Sequence, residues 1–293
     1  MKAIKRSAPA KINLALDILG PRPDGYHEMR MVMQAVSLCD TVTLAEGEAG
    51  FSLDADGDFL PAEGKTLEQR AAEAFFRELD RPCPPLAVSL EKQTPAYAGL
   101  GGGSADVAAL LRLLRQRYAP ELPTETLERI GLTVGSDMPF CVRGGTALAE
   151  GRGEVLTDLP PLPPCRIVIC KPDFDLPTAE LFARVRGRVF QGRPDIDGMV
   201  NALGTGCLEG VAKRLYNVFE EVLPEEARQE VRGIKTALLR CGALGAAMSG
   251  SGPAVFGLFQ TEEEALPALE SMRMWYAQTF LVQPVGRLDG PVV

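Results

Sequence analysis

At 293 residues, with 46% hydrophobic and 24% charged residues, the chain has the composition of a soluble globular protein of about two domains. Its net charge of −8 and lack of a basic patch exclude a nucleic-acid groove, and no apolar run approaches the length of a membrane span. Seven cysteines without a Cys-x-x-Cys pair indicate neither a zinc site nor a disulfide framework. The N-terminus, Met1-Lys2-Ala3-Ile4-Lys5-Arg6, has no apolar signal segment, so a reduced, cytoplasmic protein is expected.

Residues 3–9 read as a short edge strand. Residues 11–18 alternate with period two, which would put Ile12, Leu14, Leu16 and Ile18 on one face and Lys11, Asn13 and Asp17 on the other. That polar face is either half solvated or part of a site. Pro21-Arg22-Pro23-Asp24-Gly25 has the chemistry of a turn. Tyr26 follows, then His27, the only histidine, so any histidine mechanism has to use it. Its position, between a tyrosine and a strand carrying Met29, Met31 and Met33, suits a surface residue or a binding one. Residues 32–38 and 41–44 continue as strands, and 45–64 look like hairpin connections. Residues 67–79 have helical spacing, and 86–90 form a strand.

That strand runs into Pro95-Ala96-Tyr97-Ala98-Gly99-Leu100-Gly101-Gly102-Gly103-Ser104, with four glycines in residues 99–103. Such density suits a backbone that takes positive φ and brings its N–H groups close to a ligand. Val107, Leu110, Leu111 and Leu114 mark one face of the helix that follows. A glycine turn emptying into a helix start is an anion site, because free N–H groups and the positive dipole end face one point. Ser104 is placed to cap that helix and to offer a hydroxyl to a phosphate or a metal-bound water. A Walker loop is excluded, since no lysine follows the glycines. A dinucleotide fingerprint needs a glycine where Ser104 stands and an acidic residue about 20 residues on, where Pro123-Thr124-Glu125-Thr126 reads as a helix start. The remaining readings are a tight packing loop and a phosphate cradle of a third kind, and the second is favoured.

Residues 124–134 form a short helix. In Ser136-Asp137-Met138-Pro139-Phe140 the proline disfavours the α region for Met138, leaving Asp137 at the tip of a turn, as a helix cap or a functional carboxylate. Residues 144–153 are a strand entering a second glycine-rich turn. Asp158-Leu159-Pro160-Pro161-Leu162-Pro163-Pro164 is semi-rigid and the best domain boundary, dividing the chain into 1–157 and 165–293. Beyond it come a strand at 166–170, helices at 178–189 and 224–240, and a glycine turn at 242–253. A strand at 254–259, a helix at 261–272 and a strand at 279–285 complete the pattern of an α+β domain.

Three motifs together resemble the GHMP kinase superfamily of small-molecule kinases: Pro9-Ala10-Lys11-Ile12-Asn13-Leu14, Gly99-Leu100-Gly101-Gly102-Gly103-Ser104 and Ser249-Gly250-Ser251-Gly252-Pro253. Within it the chain is most similar to members acting on a cytidine-diphosphate-linked methylerythritol alcohol of the non-mevalonate isoprenoid route. That similarity rests on Lys11-Ile12-Asn13-Leu14, Pro23-Asp24-Gly25-Tyr26-His27-Glu28, the triple-glycine loop, Ser136-Asp137-Met138-Pro139-Phe140 and residues 144–153, in the family's order. The resemblance implies a two-domain α+β GHMP kinase fold. Its N-terminal ATP-binding domain would be of the ribosomal protein S5 domain 2-like type and its C-terminal domain ferredoxin-like, with the active site between them.

The resemblance also implies phosphorylation of a substrate alcohol with ATP and Mg²⁺. Asp137 matches the family's catalytic aspartate, as general base or orienter. Lys11 matches the lysine that keeps that aspartate ionised and stabilises developing charge. Residues 95–104 would hold ATP, with Gly99 to Ser104 around its phosphates. Ser249, Gly250, Ser251 and Gly252 would shape a second wall. Asn13, Tyr26 and His27 match residues that recognise the cytidine end, and Thr178 and Phe182 lie where the second domain closes over the base. No protein ligand to the metal is implied beyond Ser104. Ala105 replaces the family's usual second serine, Thr66 matches its asparagine near the adenine, and Asn217-Val218-Phe219-Glu220 stands for Asn-Asp-Leu-Glu. The alternatives are a homoserine- or mevalonate-type kinase, or a catalytically silent ligand sensor. Tyr26 and His27 argue against the first, and the intact Lys11, Asp137 and loop against the second. The expected partner is a small molecule carrying a cytidine diphosphate, with no nucleic acid or membrane, in a monomer or weak homodimer.

Overall fold

The computed structural model describes residues 2–55 and 64–288, so part of the 45–64 connection lies outside the described residues. Two long antiparallel strands, β1 (Ile4–Pro21) and β2 (His27–Glu46), are joined through the expected turn. Each merges two segments that read as separate strands, because register shifts at Pro9/Lys11, Asn13/Ala15 and Ile18/Gly20 absorb the breaks. The middle shift corrects the expected alternation. An irregularity of one residue reverses which side chains face which side. Ile12 and Leu14 therefore enter one core while Leu16 and Ile18 enter another. Leu16 now lines the same cleft as Lys11 and Asn13, and Asp17 bonds Arg193 instead.

The first half continues with β3 (Phe51–Ala55), α1 (Leu67–Glu78), β4 (Leu86–Glu91), α2 (Gly102–Tyr118), α3 (Thr124–Leu132), α4 (Met138–Arg143), β5 (Thr146–Gly151) and β6 (Val155–Asp158). The sheet runs β3-β4-β2-β1, with β5 and β6 added beside β2. β2 is long enough to pair β5 through Met29–Gln34 and β4 through Thr41–Glu46. β3 runs parallel to β4, so the connection after β2 is not a simple hairpin. Residues 105–114 of α2 are all buried, which makes it the central helix of this half. Arg112 in that run donates Nη1 to the carbonyls of Cys141, at 2.6 Å, and Val142, at 3.2 Å, near the end of α4. A cation there satisfies carbonyls that the helix leaves without partners.

The second half comprises β7 (Arg166–Lys171), α5 (Thr178–Val185), α6 (Ile196–Gly204), α7 (Leu208–Ala212), β8 (Tyr216–Asn217), a 3-10 turn (Val218–Val222), α8 (Glu225–Arg240), β9 (Gly245–Met248), β10 (Val255–Phe259), α9 (Glu262–Arg273) and β11 (Gln278–Val282). Its antiparallel sheet has the order β11-β7-β10-β9. With α8 leading into β9 and α9 joining β10 to β11, this is the βαββαβ order of a ferredoxin-like unit. β9 lies inside the stretch expected to be only a turn, and α6 and α7 were not indicated by the sequence. β8 reaches across to pair with β1 in parallel.

The two sheets share a core. Ala10, Ile12 and Leu14 of β1 and Val32 and Val36 of β2 meet Ile167, Ile169, Phe256 and Leu258, with Met199 and Val211 from α6 and α7. No helix among the described residues is long and apolar enough to cross a membrane. Ile12 has no solvent exposure in this shared core. Ile12→Ala is expected to cost about 2–5 kcal/mol and to shift a single urea transition, because both sheets lose the same contact. Two separate transitions would show that the halves unfold independently.

Candidate active site

The helix start falls in the glycines themselves. Gly101 caps α2 with φ 69°, and the first intrahelical bond runs from Ala105 N–H to Gly101 O at 2.9 Å. The amides of Gly102, Gly103 and Ser104 therefore precede the helix ladder and are the first-turn donors that a helix leaves for an outside acceptor. This corrects the capping role expected for Ser104, which sits inside the first turn. Tyr97, Gly99 and Gly101 all adopt positive φ, so the loop before the helix is wound back on itself. Ala105 is buried in the core, where the family's second serine would stand.

Lys11 lies across this loop. A Cβ on Gly101 would meet the Lys11 side chain at 3.0 Å. The ammonium donates to Asn13 Oδ1 at 2.7 Å and stands 3.7 Å from Asp137 Oδ2. Asp137 occupies the cap position of α4, but its side chain makes no cap hydrogen bond, so the carboxylate is not serving the helix. Its side chain is 37% exposed while that of Lys11 is 5% exposed, leaving the carboxylate open to a ligand and the ammonium fixed.

The second glycine loop braces the first. Ser249 Oγ donates to Gly99 O at 2.9 Å and accepts the Asn13 N–H at 3.3 Å. A Cβ on Gly99 would run into the Ser249 carbonyl, and one on Gly250 would come 3.1 Å from Lys11 Nζ. Asn217 holds this loop from behind, donating Nδ2 to Met248 O and Gly250 O, each at 2.8 Å. Only Gly250 and Ser251 of the expected second wall reach the cleft; Ser249 and Gly252 are a correction, lying behind it as buttresses because they pack against the first loop and Met248.

Lys11, Asp137, Gly250 and Ser251 line one cleft of about 1170 Å³. Residues 95–104 all line it, as do Asn13, Tyr26, His27, Thr178 and Phe182. Toward the start of α2 it is flanked by Leu53, Leu67, Leu90, Thr66 and Thr94, a slot of apolar walls with polar edges. At the Tyr26 end, the rings of His27 and Phe182 stack at 5.0 Å, and Phe182 meets Phe219 edge-on at 5.1 Å. Burial, then the charge of Arg186, hold the His27 pKa below its ordinary value, favouring a neutral ring with one donor and one acceptor nitrogen. Thr178 Oγ1 lies 2.8 Å from Ser251 Oγ, joining α5 to the second loop.

Sequence reasoning missed two features. Lys92 bridges Asp40 and Asp106, the latter at 2.5 Å, beside the first turn of α2. Asp106 Oδ1 is buried without a hydrogen-bond partner among the described residues. Burial raises the Asp106 pKa to about 7, opposed by Lys92 and helped by Asp40. The second feature is Arg152, whose guanidinium lies 4.4 Å from the Tyr26 ring centre. Its only sequence signal is an arginine between Gly151 and Gly153.

A helix start made to bind anions, faced by an ammonium and a carboxylate in a cleft between two lobes, is the layout of a small-molecule phosphotransferase. The family patterns described as GHMP kinases N terminal domain and GHMP kinases C terminal match residues 66–145 and 199–278. The 4-diphosphocytidyl-2-C-methyl-D-erythritol kinase of Exiguobacterium sibiricum is 40% identical over 281 residues, covering 95% of this chain and 97% of that protein. A crystal structure of a 4-(cytidine 5'-diphospho)-2C-methyl-D-erythritol kinase superposes with a TM-score of 0.79 at 31% identity, covering 97% of this chain and 100% of its own. Homoserine kinase from Cytophaga hutchinsonii, at 20% identity and a TM-score of 0.78 over 99% of this chain and 97% of its own, shares the fold. The chain belongs to the GHMP kinase family, whose members use ATP.

Gly99→Ala is expected to lower stability by about 1–2 kcal/mol from its left-handed backbone alone, and further because the added methyl separates the two loops. Gly103→Ala, in a helical turn with Leu67 Cδ1 at 3.9 Å, is expected to keep or raise the melting temperature. Equal melting losses would mean that the loop contact is not tight. For Asp106, the folded pKa of about 7 stands above the unfolded 3.8, so the native state binds the proton more strongly between those values. Stability from this group is therefore lost as pH rises across that window. Urea midpoints at about pH 5 and about pH 8 should fall more for the wild type than for Asp106→Asn, and parallel losses would remove Asp106 as the cause.

Proposed function

We propose that this chain phosphorylates the 2-hydroxyl of 4-diphosphocytidyl-2-C-methyl-D-erythritol with ATP, giving the 2-phosphate and ADP, in non-mevalonate isoprenoid precursor synthesis. The observation that carries it is the aromatic end of the cleft, where Tyr26, His27 and Phe182 offer a base-sized face in the same cavity as Lys11 and Asp137. Tyr26 stacks on the cytosine and His27 hydrogen-bonds its polar edge, while Asn13, Thr178 and Phe182 complete that end. Homoserine and mevalonate carry no base to use such a face.

In the reaction, Asp137 orients the substrate hydroxyl and takes its proton as the oxygen attacks the γ-phosphorus. The bond from that phosphorus to the β–γ bridging oxygen breaks, and its electron pair leaves with ADP. Lys11 stabilises charge on the transferring oxygens, and the amides of Gly102, Gly103 and Ser104 hold the phosphates. The slot near Leu53, Leu67 and Leu90 takes the adenine. No cluster of three or more His, Cys, Asp or Glu side chains is gathered among the described residues. Magnesium would enter as part of the nucleotide, with Ser104 offering a side-chain oxygen to it. When bound it neutralises phosphate charge.

ADP release should be measured with the cytidyl alcohol, homoserine and mevalonate as acceptors. Turnover with the cytidyl alcohol alone is expected, and preference for another acceptor would overturn the substrate assignment. Asp137→Asn is expected to lower kcat by about 10²- to 10⁴-fold with nucleotide still bound. A variant that keeps most of its kcat would remove Asp137 from the chemistry.

A further inference from the structure

Arg152 belongs to no role assigned so far, yet its position is unusual. It sits between Gly151, φ 72°, and Gly153, φ 118°, two backbone conformations that only glycine adopts readily. The turn is pinned from below, where Gly151 N–H donates to Glu28 Oε1 at 3.2 Å. The guanidinium is thereby laid on the Tyr26 ring, with its side chain 23% exposed at the cleft. The next residue touches the reacting end, since a Cβ on Gly153 would stand 3.9 Å from Asp137 Oδ1. One short turn therefore spans the distance from the base-sized ring to the carboxylate.

Among the other arginines at this end, Arg186 lines the cleft beside His27 from the end of α5, and two more are engaged. Arg22 is held by Asp24 and Glu28, and Arg30 by Glu150 and Asp197. Arg152 has a 4.0 Å approach of Nε to Glu154 and feels the charge of Asp24, but no hydrogen bond among the described residues engages its terminal nitrogens. A planar guanidinium that rests its face on an aromatic ring keeps its edge donors free for phosphate oxygens.

We infer that Arg152 is a specificity residue for a nucleoside diphosphate: its plane backs Tyr26 while its terminal N–H groups bind the diphosphate between the stacked base and the hydroxyl at Asp137. This rests on the cytidine-diphosphate reading given above. A substrate with its base on Tyr26 and its hydroxyl at Asp137 must lay the linking group across the step from Arg152 to Gly153. An arginine there rewards a linker that is anionic. The same base on a neutral linker gains only the stacking.

The test uses the full chain and compares inhibition of ADP release by cytidine, cytidine monophosphate and cytidine diphosphate. In the wild type, affinity should rise along that series. Arg152→Met should weaken cytidine diphosphate and raise the substrate KM by on the order of tenfold to a hundredfold, the span of a charge-assisted contact. Cytidine itself should change by less than about threefold, since stacking is only indirectly affected. The KM for ATP and the melting temperature report on the rest of the fold. Arg152→Gln keeps a polar head without charge and decides by the same comparison if the methionine variant folds poorly. Equal losses for cytidine and cytidine diphosphate would reduce Arg152 to a support for Tyr26, and no loss for either would remove it from the site. Both outcomes overturn the inference while wild-type turnover of the cytidyl alcohol stands. Absence of that turnover would instead bring down the substrate reading itself.

Discussion

The fully buried hydroxyl of Ser249 accepts the backbone N–H of Asn13 and donates to the carbonyl of Gly99, joining three distant pieces of chain at one oxygen. A buried polar group left unpaired costs more than its hydrogen bonds gain, so this oxygen fixes the approach of all three. The approach is close enough that Gly99 has no room for a side chain against the Ser249 backbone. Ala254 N–H adds a bond to Ala98 O at 3.2 Å, and Asn217 restrains the same loop from its far side. Lys11 is caught in the middle, with Gly101 under its stem and Gly250 beside its ammonium. Its charge is thus placed before any ligand arrives, and preorganised charge needs no rearrangement during a reaction.

The carboxylate is placed by a different route that begins at the same helix. The first turn of α2 supplies the anion-binding amides, and Arg112, further along that helix, holds the end of α4. Asp137 stands at the beginning of α4. The first-turn amides and the carboxylate are therefore coupled through one buried helix and one six-residue helix rather than through loops alone. Gly131 in α3 lets Met138 come close, since a Cβ there would lie 3.0 Å from Met138 Cβ. Small residues at such crossings convert sequence into distance, and the separation of Lys11 from Asp137 follows from them.

Much of this was legible in the sequence where function depends on local chemistry. Four glycines before a run of helix formers announce an anion site, and Asp137 and Lys11 stand in recognisable surroundings. What was not legible depends on long-range partners. Nothing near Leu14 announces the register shift that turns Leu16 toward the cleft, because the shift is a property of β1 against β2. The strand at β9 is made of Gly245, Ala246, Ala247 and Met248, residues of weak strand preference that pair because β10 lies beside them. Lys92 and Asp40 are 52 residues apart, so neither suggests the other. Ser104 looks like a cap by its chemistry, yet the glycines ahead of it accept helical geometry first, and the helix starts earlier.

Charge is arranged locally at this cleft, against the sign of the whole chain. A net charge of −8 repels anions at long range, and it speaks of solubility rather than of binding. At the slot end, Lys92 is committed to Asp40 and Asp106, so it adds little positive field of its own. At that end the donors left to face an anion are the amides at the start of α2 and Lys11. Amide donors do not titrate, and they point where the helix axis points. An anion site built on backbone geometry is thus insensitive to the acidic surface around it, provided the turn keeps its shape. That condition returns to Gly99 and Ser249: the close contact of the two loops maintains the direction of the N–H groups, and with it the electrostatics of the cleft.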